Sequence, residues 1–208
     1  FPRRAFVDGR LVDAVWGATF DCVDPAPGRV LTTVAACDAA DVDLAVAAAR
    51  RSFESGVWSR RAPGERKAVL LRLAELIRAH RDELALLETL DTGKPIADTL
   101  HGDIPGAAAT VQWYAEAIDK LYDEIAPAPP GNLALVRREP LGVVGAVVPW
   151  NFPLEMAVWK CAPALAAGNS VVLKPAEQSP LTALRFAELA HEAGLPPGVL
   201  AVLPGFGP

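Results

Sequence analysis

Long basic stretches are missing from this chain. Its Lys and Arg never run beyond pairs such as Arg3-Arg4, Arg50-Arg51, Arg60-Arg61 and Arg137-Arg138, against a net charge of -5. A nucleic-acid or anionic-membrane surface needs clustered positive charge, so neither partner is expected. No run of about 18 apolar residues is free of a charge or a helix breaker, so no membrane span is expected. A basic-then-apolar leader with a cleavage site is also missing. Cysteine is scarce: Cys22, Cys37 and Cys161 are odd in number and far apart. They form no CxxC and no Cys/His ligand spacing, so no metal site is expected, and reduced thiols in the cytoplasm are the simplest reading. GxGxxG does not occur, nor does any internal repeat. The chain opens on Phe1 without a Met and stops at Pro208 inside the glycine turn GFGP, and it is expected to be cut at both ends.

What is present is a core. Hydrophobic residues make up 51% and charged residues 22% of 208 residues, enough for one large domain or one and a half. Residues 5–34 read as short strands and turns: AFVDGRLVDA suggests a hairpin at Asp8-Gly9, and DPAPGRVLTTV a turn running into a strand. The period then changes. Asp41 is expected to cap an amphipathic helix burying Val42, Ala45, Val46, Ala49 and Phe53. A longer helix starts near Pro63, carries Val69, Leu70, Leu73, Leu76, Ile77, Leu84 and Leu87, and ends at DTGKP. A third covers 104–122, with Trp113 and Tyr114 as packing aromatics. PAPPG (127–131) breaks the composition, and LALVRREP alternates like a strand leaving the main body.

From Leu141 onward the order is β-α-β-α-β. VVGAVV (143–148), SVVLK (170–174) and VLAVLP (199–204) read as parallel strands with right-handed crossovers, the first buried on both faces. Helices at Leu154–Ala167 and Pro180–His191 connect them, with Ser179 as the N-cap of the second. Ligands in open parallel sheets bind at the carboxyl ends of the strands. Here those ends carry Pro149-Trp150-Asn151-Phe152-Pro153, then Lys174-Pro175-Ala176-Glu177, then Pro204-Gly205-Phe206-Gly207-Pro208. These groups are expected to converge on one site.

Each has a plain reading as well as a chemical one. Asn151 is either a turn residue or an amide donor aimed at a developing oxyanion. Lys174 and Glu177 are either a solvated strand end or a pair for ribose hydroxyls. Trp150 has core as its plain reading, and Gly205 and Gly207 serve a tight turn or a phosphate. Cys161 sits among Ala157, Val158, Ala162 and Leu165, which predicts a buried, inert thiol. His80, His101 and His191 have no Ser or Cys partner in the pattern and read as surface residues.

VVPWNFP, KPAEQSPLTA, EAGLPPGV and PGFGP resemble the aldehyde dehydrogenase superfamily, and FVDGRLVDA and LLRLAELIRAHRDELALLETLDTGKP extend the likeness over essentially the whole chain. WNFP followed by KPAEQSP is most similar to the hydrolytic branch, including gamma-glutamyl-gamma-aminobutyraldehyde and betaine aldehyde dehydrogenases. The WNFP turn usually differs in the acyl-coenzyme-A-forming branch. The resemblance implies an α/β fold, a Rossmann-like parallel sheet with flanking helices, preceded by an amino-terminal strand and helix region and interrupted by an oligomerisation hairpin. Residues 1–121 would be the amino-terminal part of the NAD-binding domain, 122–140 part of the oligomerisation arm, and 141–208 the start of the Rossmann-like core. It implies that Asn151 helps form the oxyanion hole and that Val147, Val148, Pro149 and Trp150 line the cofactor groove. Lys174 and Glu177 would bind the adenosine ribose, favouring NAD over NADP, with Gly207 near the adenine side. Trp113 and Glu155 would lie near the substrate approach.

The likeness further implies a homodimer or homotetramer acting on an aldehyde. The family's nucleophilic Cys and general-base Glu have no counterpart here, and the catalytic domain is absent from this sequence. Two readings follow: a portion of an NAD-dependent enzyme forming a carboxylic acid through a covalent thiohemiacetal, or an inactive fragment serving as a nucleotide-binding or interaction module. A complete member lacking the catalytic Cys is a third case.

Overall fold

The computed structural model describes residues 1–207; Pro208, the last residue of the GFGP turn, lies outside them. A hairpin opens the chain: β1 (Ala5–Val7) and β2 (Arg10–Val12) pair antiparallel across Asp8 and Gly9, both at positive φ (52° and 76°). That is the backbone a two-residue hairpin turn demands. β3 (Thr19–Asp24) and β4 (Arg29–Ala35) form a separate antiparallel ribbon. Three helices follow: α1 (Ala39–Ser55), α2 (Pro63–Ala79) and α3 (Arg81–Thr92). The short α4 (Ile96–Asp98) winds through a π turn at Thr99–Asp103 into α5 (Ile104–Ala117). β5 (Glu124–Ala126) and β6 (Ala134–Val136) make an isolated hairpin. The α/β part comprises β7 (Val143–Val147), α6 (Pro153–Ala166), β8 (Ser170–Lys174), α7 (Leu181–Glu192) and β9 (Leu200–Val202).

One five-stranded sheet organises these pieces in the order β2-β1-β9-β8-β7. β7, β8 and β9 are parallel, as their apolar runs and helical connections suggested, and β1 joins β9 antiparallel through Phe6 opposite Val202. Side chains along these strands alternate between two cores. Val171, Leu173, Leu200 and Val202 join the large core built with α2, α3, α5, α6 and α7, while Ala201 and Leu203 join Ala45 of α1 on the other side. This is the period-2 geometry of a strand covered by helices on both faces. Trp58 is fully buried and donates its indole N–H to the Leu165 carbonyl at 3.0 Å, which ties the α1–α2 connection to the end of α6. No helix among the described residues is long and apolar enough to cross a membrane.

Several expectations change. Asp38, not Asp41, caps α1; Asp41 is at N3 and returns a bond to the Asp38 backbone, a capping box. The face α1 buries holds Asp41, Ala45, Ala48, Ala49 and Ser52, whereas Val42 and Val46 are exposed. Small residues are buried there because α1 packs close to the sheet. The single long helix is two, broken at His80 (φ -97°, ψ 21°), after which α3 runs back against α7 and β3. Both stripes share the three-and-four spacing, so periodicity alone hides the break. α5 ends at Ala117 and passes through a 3₁₀ turn at Ile118–Lys120. Trp113 is exposed, meeting Tyr114 edge-on at 4.8 Å. Within this chain β7 stands last in the sheet, with Ala146 and Val148 buried and Val147 75% exposed.

Gly198 shows how closely α1 lies against the sheet. Its φ is +78°, and an added Cβ would stand 2.8 Å from the Ala48 carbonyl oxygen and 2.9 Å from the Ser52 side chain. Gly198→Ala should destabilise the fold by roughly 1–3 kcal/mol in urea unfolding, from strained backbone and a clash with helix α1. A change within about 0.5 kcal/mol, the usual range for an unconstrained surface position, would contradict this packing.

Candidate functional site

The segment between β7 and α6 contains Asn151. Prolines at 149 and 153 flank it, and Pro153 is the first residue of α6, where a missing N–H costs nothing. Val147, Pro149, Trp150, Asn151 and Phe152 are exposed, and Val148 and Pro153 are buried. Val148 donates its N–H to the Lys174 carbonyl at 3.1 Å, and Ser179 Oγ donates to the Trp150 carbonyl at 3.3 Å. The loops after β7 and β8 therefore meet, as topology required. Ser179 does not cap α7: its hydroxyl is used in this loop-to-loop bond, and Pro180 occupies the N-cap position.

At the end of β8, Lys174 Nζ is 3.4 Å from Glu177 Oε2 and donates to the Pro175 carbonyl at 3.0 Å. Both side chains are half-buried. The Glu177 carboxyl is held below its usual range, chiefly by its own backbone N–H and also by Lys174. Such a pair offers a fixed acceptor beside a cationic donor, which suits vicinal hydroxyls. The loop after β9 turns elsewhere. Cys37 donates its N–H to the Pro204 carbonyl at 2.8 Å, and Phe206 packs on Phe20 with ring centroids 5.1 Å apart. Gly205 has a packing reason, since a Cβ there would overlap the Cys37 carbonyl. Gly207 is exposed, and a Cβ on it would meet nothing within 4 Å.

No thiol reaches Asn151. Cys161 is fully buried on α6, and burial pushes it up to about 12. Burial first, then Asp41 and Asp38, raises Cys37 to about 12. Cys22 is raised as well, by burial first and by Asp91, to whose Oδ1 its thiol donates at 3.0 Å. A thiol held protonated is a poor nucleophile.

Sequence reasoning missed the residues beneath this site. The N-cap positions of α6 and α7 are Phe152 and Pro180, neither of which makes a side-chain cap. Their first N–H groups turn instead to two buried carboxylates one helical turn apart on α3. Glu88 Oε2 accepts from Leu154 N at 3.2 Å, and Asp91 Oδ2 accepts from Leu181 N at 2.8 Å. The positive ends of both helices face these groups. Lys94, in the turn after α3, sits 3.5 Å from the centre of the Phe152 ring and pairs with Asp103 at 2.6 Å. In the sequence LETLDTGKP, the only available signal was an acidic pair on the apolar face of a helix.

Burial is the main force raising Glu88 to about 7, and Asp103 adds to it; the Leu154 N–H, Thr182 and Lys94 oppose it. Burial likewise raises Asp91 to about 7, opposed by the Cys22 thiol and the Leu181 N–H. Glu155 is half-buried beside Gly106 and is also raised, by burial and then by Asp103. Trp113 lines a groove of about 460 Å³ with Thr110, Tyr114, Trp159 and Lys160, which does not include Glu155.

Both buried carboxyls hold a proton to higher pH folded than unfolded, so their contribution to stability is fully present below the ordinary carboxyl range and lost as pH rises through about 7. Urea-unfolding free energy should decline between about pH 5 and about pH 8, and Glu88→Gln should flatten that decline. A Glu88→Gln profile parallel to that of the unaltered protein would refute the assignment.

Comparison with known proteins gives a family model and close relatives. The model described as the aldehyde dehydrogenase family matches residues 12–208. An NADP/NAD-dependent aldehyde dehydrogenase of Escherichia coli, PuuC, is 56% identical over 205 residues, 99% of this chain and 41% of its own length. A crystal structure of a gamma-glutamyl-gamma-aminobutyraldehyde dehydrogenase from Burkholderia cenocepacia superposes with a TM-score of 0.97 at 64% identity, over 98% of this chain and 41% of that one. A structure of an indole-3-acetaldehyde dehydrogenase complexed with NAD+ gives 0.97 at 61%, over 99% and 41%. The chain thus spans about two fifths of the relatives it matches.

Proposed function

Since the chain belongs to the aldehyde dehydrogenase family, we propose that it is the cofactor-binding portion of an NAD-dependent enzyme that oxidises an aldehyde to a carboxylic acid. The observation that supports this most is the junction of the Asn151 turn with the Lys174–Glu177 loop through Ser179 and Val148. It puts an unoccupied amide donor and a ribose-type carboxylate on adjoining strand ends. Lys174 and Glu177 would hold the ribose hydroxyls, and Val147, Val148, Pro149 and Trp150 would line the groove. Gly207 stays within the proposed cofactor region on family likeness alone. NAD would supply hydride acceptance when bound.

Asn151 would donate its side-chain N–H to the oxygen of the tetrahedral adduct, stabilising the charge that forms when a thiolate attacks the aldehyde. None of the three cysteines here suits that attack, so the nucleophile and the general-base Glu would come from the rest of the whole protein. Once that adduct had given up its hydride, water would hydrolyse the thioester left behind, releasing the acid and freeing the thiolate. The aldehyde-bearing side of the pocket would lie towards Trp113 and Glu155. Residues 1–121, 122–140 and 141–208 would serve as the amino-terminal part of the NAD-binding domain, part of an oligomerisation arm, and the start of its Rossmann-like core. The β5–β6 hairpin supports the second assignment: Tyr122, Ile125, Leu133 and Leu135 are each about 70% exposed or more, apolar area that a homodimer or homotetramer would cover.

In the full-length enzyme, Glu177→Gln should weaken NAD binding. Asn151→Ala should lower kcat roughly 10²–10³-fold with NAD affinity nearly unchanged. Calorimetric NAD titration and NADH formation on an aldehyde panel measure the two effects. Equal loss of NAD affinity in both variants would sink this division of roles, and absence of any aldehyde-dependent NADH formation would favour a nucleotide-binding or interaction module.

A further inference from the structure

Every second residue around Asn151 is fastened, and Asn151 is not. The Trp150 carbonyl accepts from Ser179 Oγ, the Phe152 ring lies against Lys94 Nζ, and the Leu154 N–H is held by Glu88 Oε2. Asn151 is exposed, and its side chain makes none of the hydrogen bonds among the described residues. Two of the three fastenings come from α3 and the turn that follows it, a helix remote in sequence from the Asn151 turn.

We propose that Glu88 is a positioning residue for Asn151: by fixing the first turn of α6 from beneath, it sets where the amide donor stands. This inference rests on the reading of Asn151 as the oxyanion donor. A fold that only needed the Leu154 N–H satisfied could have used a local N-cap Ser or Asp, the common solution. The acceptor is instead Glu88, 0% exposed and 66 positions away on α3, and burying a carboxyl there costs stability. An oxygen carried by α3 and held at the N-terminus of α6 gives a stiff anchor, because it is fixed by the packing of a second helix and not by the turn itself. Oxyanion stabilisation depends on a donor already standing where charge will develop, so a small displacement of α6 reaches catalysis without touching substrate. Lys94 holds the same turn at residue 152: its ammonium bridges Asp103 and the Phe152 ring, which limits how far residue 152 can swing.

The test is a double-mutant cycle in the full-length enzyme, with kcat, KM, NAD affinity and melting temperature measured for Glu88→Ala, Asn151→Ala and the double variant. Glu88→Ala should lower kcat about tenfold to a hundredfold, with NAD affinity changed by less than about twofold. In the Asn151→Ala background the same change should cost less than about twofold, because the group it positions is gone. Glu88→Gln, which keeps an oxygen for Leu154 N–H, should restore kcat to within about threefold.

Multiplicative losses in the double variant, or a Glu88→Gln variant as impaired as Glu88→Ala, would overturn the proposal. Should Glu88→Ala not fold, Glu88→Asp takes its place in the cycle. One methylene shorter, it leaves the charge but draws the acceptor away from Leu154, and the same non-additivity is expected. Unimpaired turnover in Asn151→Ala alone would instead refute the oxyanion reading on which the proposal stands.

Discussion

Two helices in this molecule begin without a cap of their own, and the structure around the strand ends depends on how that is remedied. α6 starts after Phe152 and α7 after Pro180, so their leading N–H groups would be orphaned in a largely apolar setting. α3 passes beneath both and supplies Glu88 to one and Asp91 to the other. The two carboxylates are three residues apart, so they share one face of α3. A single helix thereby fixes the spacing between the loops that follow β7 and β8. Burying two carboxyls is unfavourable, and both respond by titrating near neutrality; the helix ends they meet make the arrangement tolerable.

The sheet explains why those two loops meet at all. Parallel pairing of β7 with β8 in register, Val143 opposite Ser170 through Val147 opposite Lys174, brings both carboxyl ends to one level. Val148 and Lys174 extend the ladder by one more bond before the chains diverge. The third loop leaves this arrangement. It is drawn towards Cys37 and Phe20, contacts made by the ends of the α1 connection and the β3–β4 ribbon. An expectation built on strand order alone could not separate the third loop from the first two.

The same helices that build the large core also limit chemistry on it. Cys161 lies on α6 within a turn or so of Trp159 and Lys160, which line exposed grooves, yet its thiol faces Ala157, Val158 and Leu165 and stays protonated. Helical periodicity therefore separates an exposed face, available to ligands, from an inert one. On β7 the converse holds. Its outer edge and Val147 are open, and with Trp159, Lys160 and Pro163 they line an apolar groove of about 470 Å³.

The sequence by itself determined the elements whose signals are local. The Asp8-Gly9 hairpin follows from the left-handed backbone those residues accept, the parallel strands from β-branched runs joined by helices, and the meeting of the Trp150–Asn151 and Lys174–Glu177 loops from their place after adjacent strands. The buried state of Cys161 was legible from its small apolar neighbours. Only the tertiary structure decided which face of α1 is buried and where the α2–α3 segment breaks. It alone revealed Glu88, Asp91 and Lys94 beneath the site. The reason is physical: Glu88 and Leu154 are 66 positions apart, and Asp91 and Leu181 are 90 apart. Periodicity and propensity act over a few residues, whereas a helix end capped by a distant carboxylate exists only once the helices have packed.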